Sequence, residues 1–338
     1  MTTRTLNSVL KLGAASFEDT TSLTQDQWVE QRTQGIGGSD AGAIMGLNPW
    51  STPLMVWLSK KGKNTFEGNA ATEWGNILEA PIRRKVAESI GGRIEITGGT
   101  FVSKTAPFMR ANLDGVLRVK TLTLDGVTVY GLGGWECKTT GHGGGFDDGE
   151  IPDSYYAQVQ HYMATTGLPW FVLSAFVLDR RDMRHYIVPR NEDFIESMIE
   201  CERAFWLNNV VCDTAPAPMG TEAEARLVDA LTSGGEFTLP SEYEGTFDQL
   251  EQIKAQIKDL ETQRRALEES LKLKMSTLGG DGTDRTVATC GSWKAVWSEQ
   301  KRTSIDTSLL KQAGLYGKYS KESSYKTLRI ARLKGDEK

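Results

Sequence analysis

The chain has 338 residues, 39% of them hydrophobic and 9% aromatic, which is enough to bury the core of one large domain with an appendage, or of two domains. No apolar run approaches the roughly 20 residues that span a bilayer, and residues 1–11 lack the apolar centre of a signal peptide, so we expect a soluble, cytoplasmic protein with no membrane partner. A net charge of −5 argues against a protein that coats nucleic acid through bulk positive charge. A nuclease is not excluded, because metal-binding carboxylates are themselves acidic.

The four cysteines are scattered and include no Cys-x-x-Cys pair; they are Cys137, Cys201, Cys212 and Cys290. Their spacing signals neither a disulfide framework nor a zinc or iron–sulfur site. We therefore expect reduced thiols.

The N-terminal part of the chain predicts a flexible arm, residues 1–23, followed by a helix that begins after Thr24. This helix leads into a glycine-rich turn, 35–42, where Ser39 or Asp40 can cap a second helix. Backbone N–H groups at a helix start favour an anion, and Arg32 supplies a fork of donors nearby, which together predict a phosphate site. A capped helix with glycines used for close packing explains this segment equally well.

A strong helix is predicted over residues 70–90, with Glu79 among its apolar positions and Pro81 interrupting the run. Because proline favours a kink or a restart, Glu79 has two interpretations. It is either a first-turn carboxylate of the restarted helix or a metal ligand.

The segment 94–139 predicts a meander of antiparallel strands that carries two acids, Asp114 and Glu136, in otherwise apolar runs. A buried carboxylate without a partner is costly, so both acids need an explanation. Alternation along a strand puts Glu136 and Lys138 on one face. If the two runs pair, two oxygen ligands meet beside an ammonium, which predicts a Mg²⁺ site with a lysine next to its water.

The competing interpretation of these acids is structural. An Asp-Gly pair such as Asp114-Gly115 is usually a turn, and a Glu-x-Lys pattern on a strand is usually a solvated face. From these residues alone both interpretations stay open.

A helix over 154–166 places Tyr155, Gln158 and Tyr162 on one face. These side chains can hold a sugar–phosphate backbone, or they can serve ordinary buried hydrogen bonding. Two strands and a closing helix, 191–208, are predicted to follow.

The C-terminal part changes in composition at about residue 213, where Ala, Pro, Gly, Thr and acids predict a linker, 213–245. Apolar residues at steps of three and four then predict a helix of coiled-coil character, followed by a β-hairpin around Gly291-Ser292. The predicted domains are therefore 24–212 and a C-terminal helical and hairpin extension, 246–338, separated by this linker.

Taken together, an ordered series of short motifs resembles the YqaJ-type phage recombination exonucleases, which are related to lambda exonuclease. The series is Arg32, Gly37-Gly38-Ser39-Asp40, Trp74-Gly75-x-x-x-Glu79, Asp114-Gly115, Glu136-x-Lys138 and Tyr155-x-x-Gln158-x-Gln160. The resemblance covers about residues 24–210. It implies an α/β (α+β) fold of the PD-(D/E)xK superfamily, a restriction-endonuclease-like core with a mixed β-sheet flanked by helices. Leu113 stands where the motif's name has proline.

The resemblance also implies an activity. Such proteins degrade one strand of linear double-stranded DNA from a 5′ end and leave a 3′ single-stranded overhang for recombination by single-strand annealing. The expected setting is the cytoplasm of a bacterial host. The expected partners are DNA ends, further copies in a trimeric ring and a single-strand annealing protein. A metal-dependent endonuclease and a non-catalytic DNA-binding scaffold of the same fold are the alternatives.

The resemblance assigns roles to individual residues. Asp114, Glu136 and Lys138 are the expected catalytic residues, with Mg²⁺ as cofactor, Mn²⁺ as its substitute and two ions per site. Glu79 and the main-chain carbonyl of Cys137 are the further expected metal ligands. The expected DNA and 5′-phosphate-binding residues are Arg32, Ser39, Tyr155, Gln158 and Gln160.

Overall fold

The computed structural model describes residues 3–63, 70–141, 145–146, 149–231, 235–236, 238–278, 285–321 and 330. The chain divides into two compact units, Met1–Thr232 and Ser233–Lys338. In chain order the first unit contains α1 (Thr3–Leu10), β1 (Ala15–Asp19), α2 (Gln25–Thr33), β2 (Ile36–Gly37), α3 (Gly38–Ile44), α4 (Pro53–Lys60), α5 (Ala70–Ile90), β3 (Arg93–Glu95), β4 (Gly99–Ser103), β5 (Met109–Ala111), β6 (Gly115–Leu124), β7 (Val127–Thr140), α6 (Asp153–Thr166), β8 (Trp170–Val177), β9 (Asp182–Pro189), α7 (Glu192–Phe205), a π-helical stretch (Trp206–Val211) and α8 (Glu222–Ala230).

The central sheet of the first unit has five strands in the order β3-β6-β7-β8-β9. Strands β7 and β8 run parallel, and the other neighbours run antiparallel. A parallel pair needs a crossover connection, which α6 supplies. The sheet is therefore mixed, as predicted.

Helices cover both faces of this sheet, so β8 is buried along almost its whole length. On one face Ile82 and Val86 of α5 pack with Trp170 and Val172. On the other face α6 packs with the alternate residues of β8, a cluster that includes Ala157, Val159, Met163, Phe171 and Leu173. The mixed sheet flanked by helices agrees with the fold class that the resemblance implies.

The N-terminal residues do not form the flexible arm predicted for 1–23. Strand β1 pairs antiparallel with β4, in a second sheet of order β1-β4-β5-β2, and Val9 and Ala15 are buried. The ring of Phe17 lies 5.1 Å from that of Phe101. The prediction failed because a five-residue strand with so few apolar side chains has no periodicity to separate it from a loop.

The predicted linker, 213–245, also contains ordered structure. Helix α8 begins with a capping box at Thr221, and the carboxylate of Glu224 is buried against the hydroxyl of Thr52, the N-cap residue of α4. Main-chain N–H groups of Met219 and Gly220 donate to the same carboxylate, each at 2.8 Å. A buried acid with several donors anchors this segment, and a polar composition does not reveal such an anchor.

The second unit, described by itself, contains a 3₁₀ turn (Ser241–Tyr243), α9 (Glu244–Leu278), β10 (Arg285–Cys290), β11 (Trp293–Ser298), α10 (Thr307–Gln312) and α11 (Tyr316–Tyr319). Strands β10 and β11 form the hairpin expected around Gly291-Ser292. Residues 279–284, 322–329 and 331–338 of the predicted extension lie outside the described residues. Among the residues that are described, no helix is long and apolar enough to cross a membrane.

Candidate active site

Asp114 and Glu136 meet where β6 begins. The antiparallel register pairs Gly115 with Trp135, which brings the residue before Gly115 beside the residue after Trp135. Asp114 Oδ2 accepts a hydrogen bond of 2.8 Å from the main-chain N–H of Cys137. The pairing predicted from the two apolar runs is therefore present in the structure.

Glu136 is a buried carboxylate with only half of its hydrogen-bonding capacity used. Its side chain is 2% exposed. Oε1 accepts from Lys138 Nζ at 2.7 Å and from Gln158 Nε2 at 2.6 Å. Oε2 is buried and has no hydrogen-bond partner among the described residues. An orphaned carboxylate oxygen beside a second carboxylate fits a divalent cation, which prefers oxygen ligands.

The pKa shifts of Glu136, Asp114 and Lys138 also indicate that this cluster lacks positive charge. Burial, followed by the charge of Asp114, raises the pKa of Glu136 to about 8. Burial also raises the pKa of Asp114, more than the nearby Lys138 ammonium lowers it. The pKa of Lys138 is raised, because the charges of Glu136 and Asp114 outweigh burial, which alone would lower it. One ammonium therefore does not compensate the buried Glu136 carboxylate together with the half-buried Asp114 carboxylate.

Glu79 lies at the edge of this cluster. Helix α5 continues through Pro81, so the interpretation of Glu79 as a first-turn carboxylate of a restarted helix is wrong. Burial, then the charge of Asp114, raises the pKa of Glu79, while its carboxylate forms an ion pair of 3.5 Å with Arg83. Within the described ranges, no three His, Cys, Asp or Glu side chains group closely enough to hold a metal ion. Metal binding by Glu79 and by the Cys137 carbonyl stays a prediction.

Arg32 and Ser39 lie together, as the phosphate-site prediction requires. Arg32 Nη2 donates to Ser39 Oγ at 3.3 Å, and the guanidinium carbon lies 4.9 Å from the centre of the Trp28 ring. Beneath them, the buried Lys60 ammonium donates to the main-chain carbonyl of Arg32 at 3.0 Å and to Asp40 at 2.6 Å. This ion pair fixes the end of α2 against the start of α3.

A cavity of about 160 Å³ joins this corner to the carboxylates. Its lining residues come from α2, β2, α3, α4, β4, β5, β7, α6 and the connections between them; those that bear polar side chains are Gln31, Arg32, Ser39, Lys60, Thr100, Arg110, Asn112, Asp114, Glu136, Gln158 and Tyr162. Arg32 and Ser39 therefore face one space with Asp114 and Glu136, which lie far from them in sequence.

The residues of α6 divide between the site and the core. The Tyr155 ring lies 4.8 Å from Lys138 Nζ, a cation–π contact. Gln158 is buried, and its Nε2 donates to Glu136 and, at 2.9 Å, to Tyr162 Oη, so the amide nitrogen holds the carboxylate. Because Gln158 also lines the cavity, its contact with DNA stays a prediction.

Gln160 does not belong to the site, and its prediction as a DNA-binding residue is wrong. Its side chain is fully buried, with Nε2 donating to the Pro189 carbonyl and Oε1 accepting from the main-chain N–H of Asn191. Two residues along a helix correspond to about 200° of rotation, which turns Gln160 away from the face that carries Gln158.

Several cavity residues were missed by sequence reasoning, chiefly Arg110, Asn112 and Thr100. Arg110 lies between two buried residues, Met109 and Ala111, and an arginine at the alternate position of an apolar strand is a signal that could have been used. The other two are short polar residues, whose sequence carries no such signal.

Comparison with known proteins shows which proteins this chain is similar to. Residues 27–169 match the model of the YqaJ-like viral recombinase domain. The chain contains a YqaJ-like viral recombinase domain. It is 27% identical over 319 residues to the uncharacterized protein YqaJ of Bacillus subtilis strain 168, a match that covers 91% of this chain and 94% of that protein. The resemblance stated from the motifs is thereby confirmed.

Two solved structures resemble the YqaJ-like chain more distantly. An alkaline exonuclease, LHK-Exo from Laribacter hongkongensis, is 20% identical with a TM-score of 0.46, covering 62% of this chain and 100% of that one. A phage-related exonuclease from Haemophilus somnus 129PT is 15% identical with a TM-score of 0.38, covering 53% of this chain and 96% of that one.

Proposed function

We propose that this YqaJ-like protein is a metal-dependent exonuclease that degrades one strand of linear duplex DNA from the 5′ end and leaves a 3′ overhang for phage-type recombination. The observation that carries the proposal is Glu136. It is buried next to Asp114, and its Oε2 has no partner among the described residues. The ionised form of such a carboxylate is costly unless a cation completes the arrangement. The match of residues 27–169 to a viral recombinase domain supports the DNA context.

Asp114 and Glu136 would hold Mg²⁺, or Mn²⁺ in its place, and Glu79 with the Cys137 carbonyl would complete the ligand set or hold a second ion. The bound metal would supply charge stabilisation of the phosphoryl oxygens and acidify a water molecule. Gln158 fixes the direction of the Glu136 carboxylate through a bond of 2.6 Å, so this ligand is oriented before the metal arrives.

Lys138 would act on the attacking water. Its ammonium bonds Glu136 Oε1 and lies over the Tyr155 ring, which leaves further N–H donors for a water molecule at the scissile phosphate. The water oxygen bonds to phosphorus, the P–O3′ bond breaks, and the 3′ oxygen leaves with a proton. The shortened strand then begins with a new 5′ phosphate, so each product has the same kind of end as its substrate.

Arg32 and Ser39 would bind that 5′ phosphate. A terminal phosphate carries more negative charge than an internal diester and accepts several hydrogen bonds from a guanidinium and a hydroxyl. Because these two residues face the same cavity as Asp114 and Glu136, a bound end would place a nearby phosphodiester at the carboxylates.

The proposed assembly follows the sequence resemblance. A trimeric ring would enclose the DNA and keep it from diffusing away between cuts, and a single-strand annealing protein would receive the overhang. We propose that both act in the cytoplasm of a bacterial host. Measurement of the molecular mass in solution tests the ring, because a monomeric mass would contradict a trimeric assembly.

The test of the activity uses linear duplexes labelled at the 5′ or the 3′ end, together with covalently closed circular duplex, with Mg²⁺ or with EDTA. The proposal predicts early release of the 5′ label from linear DNA, only with Mg²⁺, and an intact circle. Cutting of the circle would favour the endonuclease. DNA binding without release of either label would favour the scaffold.

A further inference from the structure

A second guanidinium, that of Arg110, lies in the wall of the cavity that contains Arg32 and Ser39. Arg110 is the middle residue of β5, whose flanking residues Met109 and Ala111 are buried in the core. Alternation along the strand therefore directs Arg110 away from the core and toward the cavity. Its side chain is only 14% exposed.

One end of the Arg110 guanidinium is held by the N-terminal strand. Nη1 donates to Glu18 Oε2 of β1 at 2.8 Å, and Gln31 Nε2 donates to the same oxygen at 2.9 Å. The Nε donor of the same guanidinium is buried and has no acceptor among the described residues. A buried charged donor without an acceptor is unfavourable, so a ligand oxygen is the natural partner.

The stem and the backbone of Arg110 are also fixed. A Cβ on Gly35 would lie 2.7 Å from Arg110 Cδ, so the arginine stem passes directly over this glycine. The Arg110 carbonyl lies 3.0 Å from His161 Nε2, and His161 Nδ1 lies 2.7 Å from Glu202 Oε1, both within the core. The guanidinium is thus preorganised, which limits the entropy lost on binding.

We propose that Arg110 is a second phosphate-binding residue of this cavity and that Glu18 positions it, so that β1 takes part in recognition of the DNA end. This inference rests on the proposed function and names its ligand, a 5′-phosphate monoester. Two guanidinium groups, Arg32 and Arg110, match the dianion of a monoester better than the single charge of an internal diester. A purely structural Arg110–Glu18 ion pair is the competing explanation.

The test measures binding, with EDTA present, of short duplexes that differ only in a 5′ phosphate or a 5′ hydroxyl. Wild-type protein should prefer the phosphorylated end, and Arg110→Gln should reduce this preference about tenfold, the loss of one charge-assisted hydrogen bond. Inorganic phosphate should displace the phosphorylated duplex from wild type and do so less well from Arg110→Gln. Glu18→Gln should reduce the preference by a smaller factor, because Arg110 remains but is less well held.

The matched control is an arginine–glutamate pair outside the cavity, Arg226 and Glu222 on α8, whose side chains are 3.2 Å apart and exposed. Arg226→Gln and Glu222→Gln should leave the preference unchanged. If Arg110→Gln does not fold, Arg110→Lys keeps the charge but lacks Nε and should still lower the preference. Thermal denaturation of each variant reports folding.

Two results would overturn the inference. If folded Arg110→Gln keeps the preference for 5′-phosphorylated ends and is only less stable than wild type, the Arg110–Glu18 ion pair has a structural role alone. An unchanged preference in Glu18→Gln would remove the role of β1. Binding is measured without metal, so it tests the inference independently of the nuclease activity. If the nuclease proposal alone fails, the protein keeps its preference for phosphorylated ends but releases no nucleotide in Mg²⁺.

Discussion

At the scale of single residues, the sequence predicted those site residues whose charge interrupts an apolar strand. It did not predict the role of residues that depend on which partner they contact in the folded chain. Asp114 and Glu136 were found because an acid in a buried run requires a reason. Gln158 was predicted to contact DNA, yet its amide is used by Glu136 and Tyr162. Which acceptor a buried amide meets is decided by tertiary packing, which one sequence does not contain.

Gln158 provides the first prediction. Gln158→Leu removes the donor that orients Glu136 Oε1, and we expect metal affinity to fall about 10- to 100-fold, as for other outer partners of metal ligands. Calorimetric titration of the metal-free protein with Mn²⁺ measures this affinity. Gln160→Leu is the matched control, since it removes a buried amide from the same helix but from the core side. Equal Mn²⁺ affinity in wild type and Gln158→Leu would contradict the assignment.

The buried pair His161–Glu202 predicts a pH dependence of stability. Burial opposes the imidazolium, but the charge of Glu202 and the Arg110 carbonyl outweigh it, so the pKa of His161 is raised. Burial raises the pKa of Glu202 as well, so the folded pair retains a proton more strongly than the unfolded chain. The resulting stability is complete below the unfolded histidine pKa of about 6.5 and is lost as pH rises through the folded value.

Urea denaturation between about pH 6 and pH 9 measures this effect. The free energy of unfolding of wild type should fall with rising pH, and His161→Gln should lose about 3–5 kcal/mol at the acid end, where one partner of a buried pair is left alone. The double variant His161→Gln, Glu202→Gln should lose this part of the pH dependence. The same slope in wild type and the double variant would show that other groups cause it.

At the scale of elements, hydrophobic periodicity indicated most strands and helices of the first unit, but not the parallel pairing of β7 with β8. The parallel contact of β7 with β8 depends on two glycines. A Cβ on Gly133 would lie 2.2 Å from the Trp170 ring, and one on Gly134 would lie 2.1 Å from the Phe171 ring. In the sequence both glycines lie within a predicted strand, but nothing there accounts for them, because their packing against the two rings is a tertiary contact.

Gly134→Ala should therefore destabilise the first unit, because Phe171 is fully buried and its ring has no space to withdraw. Overpacking of this kind costs about 1–3 kcal/mol. Gly141→Ala, next to the end of β7, is the control, since its added Cβ would have no neighbour within 4 Å. Chemical denaturation compares the two variants. A loss at Gly134 no larger than that at Gly141 would mean that the aromatic layer adapts.

At the scale of the whole molecule, the sequence indicated a mixed fold with a helical C-terminal extension, but it could not indicate the cavity. That space is built from α2, β5, β7 and α6, and its residues are distant in the chain. The overall charge of −5 also conceals the local arrangement, in which Arg32 and Arg110 line the same cavity as the carboxylates of Asp114 and Glu136. The net charge argues against a surface that is positive throughout, whereas a local nuclease site depends on where the individual charged residues lie.

The most direct test of the central claim is mononucleotide release from linear duplex DNA with a 5′ phosphate, in Mg²⁺, by wild type, Asp114→Asn and Lys138→Met. The proposal predicts release by wild type that stops with EDTA and falls about 100- to 1,000-fold in both folded variants, on the scale of losing one group that stabilises the transition state. The control substitution Arg226→Gln should leave nucleotide release unchanged. Metal-independent release, or wild-type rates in folded Asp114→Asn, would contradict a metal-dependent nuclease at this site.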